Sequence, residues 1–214
     1  MKILVANPNT STGVTDRLVA AGKLVASPGT ELLPMTAATA CPTSPRAPRP
    51  LSAPSRRSRC WRNGAARSMR PSSPPSAIPA WAARASCSTF PVVGMAEAAM
   101  LTACMLGRSF AIVSFAKALE PWFAEIVAWH GLSGRCAAIR TLDEAFRSID
   151  DVQDEKEQVL VDLANSTVTN DAADVVILAG APLAGMADKV KGRIPVPVVD
   201  GIRPPSPWPR AWCA

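Results

Sequence analysis

Residues 173–180 have the sequence ADVVILAG, an apolar run that ends in alanine and glycine. A short apolar run bounded by turn residues is typical of a β-strand buried on both faces, as the strands of parallel sheets are. The glycine at its end indicates a loop, because glycine adopts turn conformations that other residues avoid. This stretch therefore predicts a buried strand of a parallel sheet.

The rest of the chain alternates between strand and helix patterns. Further strands are predicted at residues 3–6, 30–34, 110–115, 136–140 and 194–201, with the end of another at 91–94. Helical patterns are predicted after a polar loop at residues 7–15, and at 95–106, 120–129 and 154–170. Strands that alternate with helices are typical of α/β proteins, in which helices cover both faces of parallel sheets. We therefore predict an α/β fold.

Four loops follow predicted strands, and ligands of such sheets bind beyond the carboxyl ends of the strands. These loops offer hydroxyl, amide and backbone N–H groups, which suit a carboxylate or a carbonyl at a helix N-terminus. The alternative is ordinary turn and capping chemistry, which places the same residue types at any such junction. The candidate substrate-binding residues are Asn9, Thr10, Ser11, Glu97, Ser114, Gly180, Ala181 and Pro182.

Residues 41–89 differ sharply from the sequence on either side. They contain nine Arg, nine Pro and ten Ser but no Asp, Glu, Lys or Val. Three interpretations compete. The segment is a disordered linker, an arm that binds nucleic acid through Arg and through stacking of Trp61 and Trp81, or the product of translation out of frame from a GC-rich gene.

The genetic code favours translation out of frame. The shifted frame joins the third base of each codon to the first two bases of the next codon. In that frame the codons of residues 68–76 are compatible with the sequence VDAAVIAAF, and those of residues 77–82 with GDPGLG. A buried strand followed by a glycine-rich loop then stands where a βα unit needs one. The same shift permits a helical AAVAMA in the tail, within residues 204–213. We therefore predict that residues 41–89 and 203–214 are out of frame and that 41–89 packs poorly.

The net positive charge of the chain comes from residues 41–89 and 203–214. The whole chain has 23 basic and 17 acidic residues, a net charge of +6, but outside residues 41–89 and 203–214 there are 12 basic and 17 acidic residues. We therefore expect neither nucleic acid nor a membrane as a partner. No apolar run of about 18 residues and no leader pattern is present, so a cytoplasmic location is expected.

Three motifs, taken in order, resemble the Asp/Glu/hydantoin racemase family, and its hydantoin racemase branch most. They are NPNT at residues 7–10, FPVVGMAEAA at 90–99 and PVVDG at 197–201. The resemblance implies two pseudo-symmetric, flavodoxin-like α/β halves with the active site between them. We place the first half at residues 1–95 and the second at 96–202, with 203–214 as an anomalous tail.

The resemblance also implies a mechanism with two opposed cysteines, one from each half. One thiol removes the α-proton and the other returns a proton to the opposite face, which needs no cofactor and no metal. This chain departs from that pattern at both positions. Pro75-Ser76 stands where the first cysteine would lie, and its shifted codon cannot encode cysteine; residues 179–186 contain none either. The catalytic residues are therefore not assigned.

The predicted function is a racemase or isomerase that acts on an amino-acid derivative or a hydantoin-like small carboxylate. Two alternatives stay open because both cysteines are missing: a catalytically defective remnant, or a decarboxylase or isomerase relative on the same fold. The expected partner is a small-molecule substrate, and self-association into a homo-oligomer is left open.

Other titratable residues have simpler structural interpretations. Cys104 lies within an apolar helix pattern and Cys136 opens a predicted strand, so both are expected to be structural thiols, and their spacing matches no metal site. His130 follows a helix, where a cap or a favourable charge is expected. Asp200 ends the last strand, at the edge where Glu97 also lies, and both are compatible with a substrate contact.

Resequencing the gene around the codons for Cys41 and Phe90 tests the out-of-frame interpretation. We expect an inserted base near one codon and a deleted base near the other, because two opposite shifts restore the frame that encodes the α/β sequence on both sides. A gene that contains neither would show that residues 41–89 are a native Arg/Pro/Ser segment.

Overall fold

A computed structural model of the protein describes residues 1–38 and 91–202. The strands are β1 (Lys2–Asn7), β2 (Glu31–Thr36), β3 (Phe110–Ser114), β4 (Cys136–Thr141), β5 (Val175–Leu178) and β6 (Val198–Asp200). The helices are α1 (Thr12–Val25), α2 (Met95–Leu106), α3 (Glu120–Trp129), α4 (Val152–Asp171) and α5 (Met186–Lys189), with 3₁₀ turns at Lys117–Leu119 and Ala181–Leu183. The predictions for residues 41–89 and 203–214 lie outside the described residues.

The described strands form two parallel sheets. Strands β1 and β2 pair in parallel, from Lys2 with Glu31 to Asn7 with Thr36, and α1 connects them. The second sheet has the strand order β4-β3-β5-β6, and all three of its pairings are parallel. Parallel sheets flanked by helices confirm the predicted α/β class. The division at residue 95 stays a prediction.

Strand β5 is buried on both faces, as its sequence predicts. Val175 and Ile177 pack with residues of α2 and α3 on one face of the sheet. Val176 and Leu178 pack with residues of α4 on the other face. Because successive side chains of a strand point to opposite faces, an apolar run is what a strand covered by helices on both sides requires.

Capping side chains or a proline lie at the start of helices α1, α2 and α3. The Ser11 hydroxyl accepts a hydrogen bond from the Val14 N–H, 3.2 Å away, and so caps α1. At the start of α2, the Glu97 carboxylate accepts a hydrogen bond from the Gly94 N–H, at 3.2 Å. Pro121 lies in the first turn of α3, where its missing N–H has no intrahelical partner to lose.

Three predicted boundaries were wrong. Residues 91–94 form no strand; Pro91 has no N–H to donate to a strand neighbour. The predicted strand at 194–201 is confined to β6, because Pro195 and Pro197 interrupt the ladder before it. Helix α1 begins at Thr12 rather than after residue 15, because the cap at Ser11 starts it earlier.

Helix α1 packs against the second sheet's loops and so joins the N-terminal βαβ unit to the rest of the described chain. The contact is a small apolar cluster formed by Val14, Leu18 and Ala184, with Val5, Met95, Ile149, Ala181 and Ile202 packed around it. It lies beyond the carboxyl end of β5, where the sequence predicts ligand-binding loops. None of the helices in residues 1–38 and 91–202 has the length and apolar character needed to span a bilayer.

Replacing Leu178 by alanine tests the importance of the doubly covered strand. Leu178 is 1% exposed, so Leu178→Ala is expected to lower the free energy of unfolding by about 2–5 kcal/mol, measured by urea denaturation. The control is Leu101→Ala on α2, because Leu101 is 49% exposed; its effect should stay within about 0.5 kcal/mol. Equal losses in the two variants would contradict the assignment of β5 to the core.

Candidate functional site at the carboxyl edge of the sheets

The loop after β1 is shaped by the Asn7 side chain. Its amide nitrogen donates to the Ser11 carbonyl at 3.1 Å and to the Thr15 hydroxyl at 2.9 Å. Its amide oxygen accepts from the Asn9 N–H, also at 2.9 Å. Asn7 is buried and therefore structural, whereas Thr10 is exposed and Asn9 is half-buried. The predicted ligand residues of this loop lie on a backbone that Asn7 holds in place.

Ser11 links this loop to the segment before α4. Its hydroxyl donates to the Asp150 carboxylate across 2.6 Å, while it also accepts the α1 capping bond. Gly13 makes this approach possible, because a Cβ at that position would lie 2.7 Å from Asp150 Oδ1. A carboxylate at the N-terminus of α1 is favoured by the helix dipole.

The loop after β5 begins with a backbone conformation that only glycine adopts readily. Gly180 has φ of 122°, and a Cβ there would lie 2.8 Å from a ring carbon of Phe115. The same Cβ would lie 3.7 Å from the Ser114 hydroxyl, so Ser114 and Gly180 are close neighbours. Ser114 is fully buried and donates to the Ala179 carbonyl at 2.8 Å.

Two side chains from different helices bind the carbonyl of Pro182. Arg17 of α1 donates to it at 3.1 Å and also donates to the Asp150 carbonyl. Gln153 of α4, which is buried, donates to the same Pro182 carbonyl at 2.8 Å and to the Ala184 carbonyl at 2.9 Å. The buried carbonyls of this loop are thus satisfied by side chains rather than by a strand neighbour.

Asp200 fixes the end of the same loop. It is buried, and its two carboxylate oxygens accept from the Gly185 N–H at 2.9 Å and the Ile202 N–H at 3.0 Å. Gly201 lies directly against Met95, which places the start of α2 beside this strand end. The sequence makes Asp200 compatible with a substrate contact; in the structure its carboxylate accepts hydrogen bonds from two backbone N–H groups.

The structure brings several predicted residues together. Ser11 and Pro182 are connected through Arg17 and Asp150, and Ser114 lies next to Gly180. Ala181 packs against the apolar cluster of α1, whereas Glu97 is engaged in capping α2. The assignment of these residues as substrate ligands stays a prediction.

Sequence reasoning missed Arg17, Asp150 and Gln153. Arg17 and Asp150 are 133 positions apart, and Gln153 and Pro182 are 29 apart. No local pattern reports a contact of that kind. The available signal was a single arginine among the apolar residues of α1, which is also typical of an ordinary solvent-facing position.

The two cysteines of the described residues lie away from these loops. Cys136 is the first residue of β4 and pairs with Phe110, the first residue of β3, at the amino-terminal edge of the sheet. Burial raises the pKa of the Cys136 thiol, which disfavours the reactive thiolate. Arg135 donates to the Cys104 carbonyl at 2.9 Å, which places Cys104 at the same edge.

Within residues 1–38 and 91–202, no group of three or more His, Cys, Asp and Glu side chains is arranged to hold a metal ion. The candidate site offers hydroxyl, amide and backbone groups from loops at the carboxyl edges of the two sheets.

The described strands and helices define an α/β protein whose candidate site lies at the carboxyl edges of two parallel sheets. Comparison with known families matches residues 76–203 to Asp/Glu/Hydantoin racemase. The chain therefore belongs to the Asp/Glu/hydantoin racemase family, as its motifs predict.

Individual relatives agree with this family. The chain is 23% identical over 112 residues to hydantoin racemase from Rhizobium meliloti, which covers 52% of this chain and 46% of that protein. It is 28% identical over 112 residues to hydantoin racemase from Pseudomonas sp. (strain NS671), which covers 52% of this chain and 45% of that protein. The chain thus matches somewhat less than half the length of these two enzymes.

Two solved structures share the fold. Allantoin racemase from Klebsiella pneumoniae superposes with a TM-score of 0.72 at 22% identity, covering 94% of this chain and 83% of that one. Allantoin racemase from Pseudomonas fluorescens superposes with a TM-score of 0.67 at 23% identity, covering 94% and 86%. At this level of identity the similarity establishes the architecture.

Replacing Gly180 tests the backbone conformation at the start of the loop after β5. Gly180→Ala is expected to lower the free energy of unfolding by about 1–3 kcal/mol, because alanine is disfavoured at this φ and its methyl group would meet Phe115. Gly134→Ala is the matched control, since a Cβ at Gly134 meets nothing within 4 Å. If thermal unfolding of both variants matched that of the wild type, the loop geometry would be wrong.

Proposed function

We propose that this chain is a racemase that acts on a hydantoin-like ring or a related amino-acid derivative, without a cofactor. Membership of the Asp/Glu/hydantoin racemase family is the observation that carries the proposal. The relatives named hydantoin racemase support the substrate class. The position of the candidate site, where ligand loops of two α/β units meet, supports a small-molecule reaction.

The proposed reaction inverts one carbon centre. A base removes the proton from the α-carbon, the electron pair delocalises into the adjacent carbonyl, and an acid returns a proton to the opposite face. Hydrogen bonds to that carbonyl oxygen stabilise the charge that develops on it. We assign these bonds to the loops that contain Asn9, Thr10 and Ser11 and Gly180, Ala181 and Pro182, with Ser114 and Glu97 beside them.

The acid and the base are not assigned to residues. Residues 179–186, where the resemblance implies one of the two thiols, contain no cysteine. This absence supports the second candidate function, a decarboxylase or isomerase relative that uses other groups, and equally a remnant without activity. A cytoplasmic location and assembly into a homo-oligomer are further parts of the proposal.

Racemisation of an optically pure 5-benzylhydantoin tests the proposed function. The optical rotation is followed by polarimetry in the presence of the purified 214-residue chain, and exchange of the C5 proton is followed by NMR in deuterium oxide. Both signals are expected to change faster than in buffer alone. Rates equal to those in buffer would contradict the proposal, and release of carbon dioxide from a substituted malonate would favour the decarboxylase alternative.

Any such activity is expected to be independent of Cys104 and Cys136. Cys104→Ala and Cys136→Ala should leave kcat/KM within about tenfold of the wild-type value, because both thiols lie at the amino-terminal edge of the sheet. Asn9→Ala and Thr10→Ala should instead raise KM, because each removes a polar contact to the ring carbonyl or carboxylate. Loss of activity in a folded cysteine variant would show that the site has been misplaced.

A further inference from the structure

We infer that Arg17 is a positioning residue that holds the loop after β1 and the loop after β5 at a fixed separation. This inference rests on the proposed function and deepens it. Arg17 acts through the Pro182 junction, defined here as the Arg17 guanidinium, the Gln153 amide and the Pro182 carbonyl that both donate to. Arg17 belongs to the N-terminal βαβ unit, whereas the carbonyl belongs to the loop after β5.

The guanidinium joins two separate segments of the second unit. Its Nη1 atom donates to the Pro182 carbonyl, and its Nη2 atom donates to the Asp150 carbonyl. A guanidinium is planar and its donors have fixed directions, so two bonds from one group set the relative position of both acceptors. A flexible lysine ammonium would impose this geometry less strictly.

The loop after β1 is attached to the same point. Ser11 donates to the Asp150 carboxylate at 2.6 Å, and the Asp150 carbonyl is the second acceptor of Arg17. Ser11 and Pro182, which belong to the two loops, are therefore connected through only two residues. Loss of the Arg17 guanidinium would remove one of the links between the two loops, which the apolar cluster around Val14 and Leu18 also joins.

Gln153 supports the junction from within the second unit. It is buried, and its amide group donates to the carbonyls of Pro182 and Ala184. Loss of Gln153 would therefore loosen the loop after β5 without breaking the link between Ser11 and Asp150. The two side chains act on one carbonyl from opposite units, and this allows their effects to be separated experimentally.

A site that orients a small ring for proton transfer needs its two loops at a fixed relative position. Small displacements of the groups that bind the ring sharply lower the rate of proton transfer. All the polar contacts of the junction use backbone carbonyls as acceptors. Arg17 therefore acts through the loops, and no contact between Arg17 and a substrate is required.

Hydrogen–deuterium exchange of the full chain tests this inference without relying on activity. In Arg17→Met, amides of residues 180–185 are expected to exchange about tenfold faster or more, the factor expected for losing a charged hydrogen bond, while α4 amides stay unchanged. Arg17→Lys should restore part of the protection. Arg108→Met is the matched control, because Arg108 lies exposed at the amino-terminal edge beside Asp174.

Arg17→Gln, which keeps an amide donor but loses the guanidinium, keeps the inference testable if Arg17→Met does not fold, and residues 180–185 should again exchange faster than in the wild type. Unchanged exchange of this loop in both variants, or faster exchange throughout the chain, would overturn a positioning role.

Activity gives an independent readout. If the wild type racemises 5-benzylhydantoin, Arg17→Met should lower kcat more than it raises KM, and the double variant with Gln153→Met should lose less than the two single losses combined. Additive losses would overturn the shared junction. If the wild type lacks activity but the Arg17 variants show the predicted changes in exchange, the proposed function is refuted and the positioning role of Arg17 still stands.

Discussion

Burial of the backbone after β5 is the constraint on which the rest of the described structure depends. A loop packed between two units cannot leave its carbonyls and N–H groups without partners, because each unsatisfied buried group costs free energy. The chain supplies those partners from three places: Arg17 from α1, Gln153 from α4 and Asp200 from β6. The convergence of these elements at one edge is the structural solution to that requirement, and it also creates the candidate site.

The two edges of the larger sheet have different characters. The carboxyl edge carries charged and polar side chains that bind backbone groups, together with the loops in which the substrate is proposed to bind. The amino edge carries Cys104 and Cys136, packed beside apolar residues of α2 and α3. This separation explains why the only cysteines of the described residues are poor candidates for proton transfer, although the family resemblance implies a mechanism with two thiols.

Local sequence patterns predicted the fold well, because the burial of a strand or helix determines the order of its apolar and polar residues. The apolar run of β5 and the alternation of strands with helices identified the α/β class, and the three motifs identified the family. The start of β6, near Pro195 and Pro197, was predicted less well. The sequence shows that these residues lack an N–H, but it does not show whether that N–H would face a partner strand. Arg17, Asp150 and Gln153 were out of reach, since their roles arise from contacts between residues far apart in sequence.

The pairing order of the larger sheet has a consequence for synthesis on the ribosome. Strand β3 pairs with β4, which follows it closely, but its other neighbour is β5, with Ser114 and Ala179 65 positions apart. A nascent chain therefore carries β3 with one open edge until α4 and β5 have been made. Open apolar edges recruit strands from other chains. The interval between translation of β4 and of β5 is thus one in which β3 is open to pairing with strands of other chains.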